Sequence, residues 1–76
     1  MTEEILDTTG LLCPLPVLKL RKHLKFTKIG DVVVILADDP AAAIDIPHFC
    51  NETGHKLISQ KATGSRATEY KVRKEI

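Results

Sequence analysis

The stretch Gly10-Leu11-Leu12-Cys13-Pro14-Leu15-Pro16 puts a thiol directly before a proline, with a second proline two residues further on. Proline loses nothing at the first position of a helix, because that N–H has no intrahelical partner and its fixed φ suits the helix. The residue before a proline is driven out of the helical region. Cys13 therefore reads as the N-cap or its neighbour, and Pro14 as the first helical residue. The sulfur would then lie among unpaired N–H groups at the positive end of the helix dipole. Such surroundings favour the thiolate, which is the nucleophile. The expectation is an exposed, activated Cys13. The competing reading is a small residue filling a strand-to-helix corner, a common fate of free cysteine; the flanking prolines weigh against it. Pro14 and Pro16 chiefly make the helix start rigid and so hold the sulfur in one place. Gly10 reads as a turn residue.

Other residues that could do chemistry are fewer. Cys50 falls on the apolar face of a second helix and reads as a packed, inert thiol. A resolving role would need it within disulfide range of Cys13. His23, His48 and His55 make no zinc spacing with the cysteines, so no metal and no cofactor are expected. Asp45 reads as a helix cap, or alternatively as the partner of a cation. Between Thr8 and Gly30 there are five Lys or Arg residues and no acidic ones. Of these, Lys19, Arg21 and Lys22 lie closest to the thiol in sequence. They are either a solvated helix face with cations toward its C-terminal end, or a surface that steers an acidic partner. Little aromatic interleaving argues against direct nucleic-acid binding. Leu12 and Leu15 are either docking contacts for a partner or ordinary exposed leucines.

The 76 residues are 43% hydrophobic and 28% charged with a net charge of +1, the composition of a globular protein small enough for one core. A single domain of residues 1–76 is expected. Two cysteines far apart make no disulfide framework. The opening Met1-Thr2-Glu3-Glu4 has no basic start and no apolar run of export length, so no export signal is expected, and no stretch approaches a membrane span. A reducing, cytoplasmic setting is expected, with free thiols.

Periodicity supplies the elements that carry these residues. Glu4-Ile5-Leu6-Asp7-Thr8 reads as a strand. A helix should cover residues 14–26, with Val17, Leu20 and Leu24 within an arc of about 60° that faces the core. Leu15 falls on its far side. Val32-Val33-Val34-Ile35-Leu36-Ala37 is apolar throughout and β-branched at four positions, a central strand covered on both faces. Asp39 can cap a second helix that starts at Pro40. Its core face would be Ala42, Ala43, Ile46, Phe49, Cys50 and Thr53. Pro47 should kink or break it, and Gly54 should end it. Residues 56–61 and 68–73 read as a hairpin. The order β-α-β-α-β-β, with a right-handed parallel crossover, implies an α+β two-layer sandwich. Its four-stranded mixed sheet carries two helices on one face.

The residues Leu6-Asp7, Gly10-Leu11-x-Cys13-Pro14-x-Pro16, Asp39-Pro40-Ala41, Asp45-Ile46-Pro47-x-Phe49-Cys50 and Gly54-His55 together resemble the TusA/SirA-like sulfur-carrier family over nearly the whole chain. A bare C-P-x-P would be weak; its place between a strand and a helix, with the downstream residues, makes the match specific. The resemblance implies a βαβαββ sandwich, the architecture read from periodicity. It implies that Cys13 accepts sulfur as a persulfide and passes it on. The donor would be a protein such as a cysteine desulfurase and the acceptor a second protein. The pathway would be tRNA 2-thiouridine synthesis or a related one. The alternative is a regulatory or interaction module of the same fold with no sulfur flux. A monomer or weak dimer is expected, with no membrane partner.

Overall fold

A computed structural model describes residues 3–76; Met1 and Thr2, part of the expected domain, lie outside the described residues. The elements are β1 (Glu3–Asp7), α1 (Leu15–Leu24), β2 (Val32–Ala37), α2 (Ala42–Thr53), β3 (Lys56–Ala62) and β4 (Thr68–Arg73). The strands form one sheet in the order β1-β2-β4-β3, with β1 parallel to β2 and the other pairs antiparallel. This is the α+β mixed sheet expected from the sequence.

Both helices lie on one face of the sheet, as the strand registers require. Leu6, Ile35 and Tyr70 stand in one row across β1, β2 and β4, and Val33, Val72 and Leu57 in another. All six join the hydrophobic cluster that holds Leu20 and Leu24 of α1 and Ala42, Ile46, Phe49 and Cys50 of α2. Because side chains alternate along a strand, that face is the helix-covered one. On the other face Val32 and Val34 are also buried. No helix covers them. Glu3 of β1 and Lys71 of β4 pair at 3.8 Å, reaching across β2 from its two neighbours. The central strand is thus covered on both sides, but by long charged side chains on one of them. Ile5, 71% exposed, marks where that cover ends.

Several expected boundaries shift for identifiable reasons. The first strand ends one residue early, at Asp7; the Thr8 N–H closes its ladder on the Leu36 carbonyl at 2.8 Å, and the Thr8 hydroxyl donates to the same carbonyl at 2.6 Å. Helix α1 begins at Leu15, with Pro14 as its N-cap and Pro16 buried inside its first turn. It ends at Leu24, and Lys25, Phe26 and Thr27 continue in tighter i→i+3 bonds. Helix α2 is neither broken nor started at Pro40: it runs unbroken through Pro47 from an N-cap at Ala41. Ile46 is fully buried and Phe49 nearly so. Burying two such side chains stabilises by about 1.5–3 kcal/mol each, enough to offset the ~3 kcal/mol an interior proline costs. Ala43 points to solvent instead of the core. Gly54 ends α2 as expected, at φ 89°.

Candidate functional site

Parallel pairing of β1 and β2 brings the C-terminal ends of both strands to the same edge of the sheet. The loop that leaves β1 and the loop that leaves β2 therefore meet there. Two consecutive aspartates of the second loop grip the first by its backbone. Asp38 Oδ1 accepts the Gly10 N–H at 2.9 Å, and Asp39 Oδ2 accepts the Cys13 N–H at 2.8 Å. Gly10 has φ 83°, a backbone angle that glycine adopts without strain. Asp7 secures the loop's beginning by accepting both the N–H and the hydroxyl of Thr9, which hold its carboxyl below the usual value. The loop's end is secured by Leu15 N–H to Leu12 C=O and Leu18 N–H to Pro14 C=O. The Cys13–Pro14 peptide is cis.

On this pinned loop Cys13 is exposed, as the sequence implied. Its sulfur opens into a groove of about 240 Å³ between the helices, with Val17 and Arg21 on one wall and Asp45, His48 and Phe49 on the other. The Arg21 guanidinium lies over the Phe49 ring, 5.6 Å from its centre, and His48 and Glu52 pair at 2.8 Å.

The electrostatics of the thiol differ from the expectation. Its S–H donates to Asp45 Oδ2 at 2.8 Å. That bond, slight desolvation, and the charges of Asp45 and Asp39 all push the Cys13 thiol above its ordinary value. A helix start was expected to do the reverse. Three facts account for the difference. Pro14, not Cys13, is the N-cap, so the sulfur lies one residue further from the helix. Pro16 has no N–H, and the Leu15 N–H is already bonded to Leu12. A helix end carries only about half a unit charge, and here it stands against a full carboxylate in direct contact.

Sequence reasoning placed Asp39 at a helix cap and Asp45 at a cap or on a cation; both instead face Cys13. The signal available was topological. A parallel β1–β2 pair must bring Asp38-Asp39 to the Cys13 loop. Leu12 and Leu15 are exposed beside the thiol, at 69% and 44%. Of the basic residues singled out, Arg21 shares the groove with Cys13, whereas Lys19 and Lys22 are exposed elsewhere on α1. Cys50 is buried in the core and its thiol is pushed up to about 11 by that burial. His23, His48 and His55 each bond separately, to Glu4, to Glu52 and to the Glu75 amide. Among the described residues no three metal-ligating side chains converge, and no helix is long and apolar enough to cross a membrane.

Comparison with known proteins bears on this arrangement. A family model described as sulfurtransferase TusA matches residues 4–74. The sulfur carrier proteins TusA of two Pseudomonas putida strains, F1 and KT2440, are each 44% identical to the chain over 59 residues. The match covers 78% of this chain and 74% of theirs. The same protein of strain GB-1 is 42% identical over the same share. A crystal structure of a SirA-like protein from Desulfitobacterium hafniense superimposes with a TM-score of 0.83 at 20% identity. It covers 99% of this chain and 100% of its own. That likeness shows the fold, and the sequence matches show the lineage: the chain belongs to the TusA family.

Proposed function

We propose that this protein is a sulfur carrier that accepts sulfane sulfur on Cys13 and relays it to another protein. The observation that carries the reading is the exposed Cys13, on a loop fixed by Asp38 and Asp39, in a chain 44% identical to proteins named sulfur carriers. In the step proposed, the donor holds a persulfide, R–S–SH. The Cys13 S–H bond breaks and its proton leaves. The sulfur attacks the donor's outer sulfur, a new Sγ–S bond forms, and the donor's S–S bond breaks. The donor sulfur departs with the electron pair as a thiolate, so no external oxidant or reductant is needed. Delivery is the same exchange with an acceptor thiol.

The donor proposed is a cysteine desulfurase or another persulfide-bearing protein. The acceptor proposed is a protein in tRNA 2-thiouridine synthesis or a related route. Exposed Leu12 and Leu15 flank the sulfur, and Arg21, Lys19 and Lys22 lie along α1. Together they suit a docking face that is apolar at the thiol and acidic beyond it. A reducing compartment, which keeps the thiol free, completes the reading. The test is mass spectrometry after incubation with cysteine and a desulfurase. One added sulfur on Cys13, absent from Cys13→Ser, is the expected result. No gain with several donors would leave an interaction module in place of a carrier.

A further inference from the structure

Titratable and charged groups approach Cys13 from each element packed around it. Asp45 comes from the first turn of α2, and Asp39 from the connection between β2 and α2. Asp38 holds Gly10 in the same loop. Arg21 enters the groove from α1 with its guanidinium over Phe49, and His48 and Glu52 pair with each other further along α2. Among these, Asp45 is the group hydrogen-bonded to the sulfur itself, at 2.8 Å across a sequence separation of 32 residues.

That contact has a definite sign. A carboxylate accepts a hydrogen bond from S–H, but it has none to accept from S⁻. Ionising the thiol in place would set two anions against each other at hydrogen-bonding distance, a repulsion that an adjacent helix end carrying half a charge does not cancel. Asp45 is itself held in place: its backbone N–H donates to Ala41 C=O at 2.8 Å, and the next residue, Ile46, is fully buried in the core. The carboxylate is therefore carried by a fixed turn of helix. An exposed sulfur without such a partner would be open to alkylation and to the oxidation ladder that begins at sulfenic acid, because both follow thiolate character and access.

We propose that Asp45 is a positioning residue that holds Cys13 in its thiol form and aims the S–H into the groove between α1 and α2, so that the free protein reacts slowly with stray electrophiles. Its use in sulfur carriage rests on the function proposed above; the restraint on the thiol does not. A carrier needs such restraint, since its one acceptor sulfur must survive, exposed, between partners.

The experiment follows alkylation of Cys13 by iodoacetamide from pH 5 to 10, read by mass spectrometry on the intact folded protein. In Asp45→Asn the midpoint of the pH profile should fall. The rate at pH 7 should rise at least about threefold, less than the gain in thiolate, because nucleophilicity declines with thiol pKa. Asp45→Glu, which keeps an anion within reach, should stay closer to the wild type than the Asn variant does. Glu3→Gln, which removes the same charge at the far end of β1, should follow the wild type. A second arm needs no variant: the wild-type midpoint should lie above that of a synthetic peptide of residues 8–18. An unchanged or raised midpoint in Asp45→Asn overturns the proposal, and so does a folded-protein midpoint at or below the peptide's. Neither outcome touches the sulfur-loading assay, which tests carriage separately.

Discussion

Asp39, the expected cap of α2, lies two residues before the N-cap Ala41, and its carboxylate faces the Cys13 amide. The helix accepts the loss, starting from Ala41 with no side-chain cap. A substitution separates the two roles. In Asp39→Ala the amide protons of residues 10–13 should exchange faster, while those of residues 48–53 should keep their protection. Global stability should fall by about 1 kcal/mol, the scale of one partly solvated hydrogen bond. Loss of protection across α2 would show instead that Asp39 works as a cap. The two cysteines differ as sharply. Cys50 is buried with its thiol pushed up to about 11, whereas Cys13 is exposed. At pH 8 the folded protein should take a single alkyl group, on Cys13, and a second only in denaturant. Early modification of Cys50 would mean that the core opens around α2. The cysteine contrast could be read from the chain, because helical spacing put Cys50 among Ile46 and Phe49. The aspartate contacts were invisible to local spacing, because they join residues 26 to 32 positions apart.

At the level of elements, Pro47 measures how far tertiary packing overrides local preference. Its ring removes the N–H that would bond Ala43 C=O, yet α2 continues through it. Pro47→Ala restores that donor in a half-buried position. The variant should be more stable by roughly 1–2 kcal/mol, less than the full proline penalty because the native helix has already adjusted and the unfolded chain gains freedom. Denaturant melting reads this as a higher midpoint with an unchanged slope. The opposite test is Ile46→Ala, one residue earlier and fully buried, which should cost about 2–5 kcal/mol. The sequence pattern found both helices and all four strands, the helices and β4 by the repeat of their buried face and β2 by its unbroken apolar run. It started the first helix at Pro14 and the second at Pro40, whereas they begin at Leu15 and Ala42. Helix boundaries depend on which side chains are left free to cap, and here Asp39 is held by another loop.

Across the whole molecule, the C-terminal tail is tied back to the corner between α2 and β3. His55 Nδ1 accepts the Glu75 N–H at 3.2 Å, and its ring lies 6.1 Å from that of Phe49. Lys74 reaches the C-terminal end of α1, where Nζ donates to Leu24 C=O at 2.7 Å. Cation and helix end suit each other there. Partial burial, and then the Lys74 charge, hold His55 below its ordinary value; the Glu75 charge acts weakly the other way. A ring accepting at Nδ1 must be unprotonated there, which agrees with that direction. With the folded pKa lowered, the unfolded chain binds a proton first as pH falls. The stability linked to His55 is therefore complete above pH 6.5, its ordinary value, and is lost as pH falls from there through the folded value. Urea midpoints measured from pH 7.5 to 5.5 should decline in the wild type and decline less in His55→Gln, which cannot titrate. The fall should coincide with a lower protection factor for the Glu75 amide, the intrinsic exchange rate over the observed one at each pH, because protonation of Nδ1 removes the acceptor that holds the tail. Equal slopes in the two proteins would mean that the clasp does not respond to protons, and that the tail is held by Lys74 and its neighbours alone.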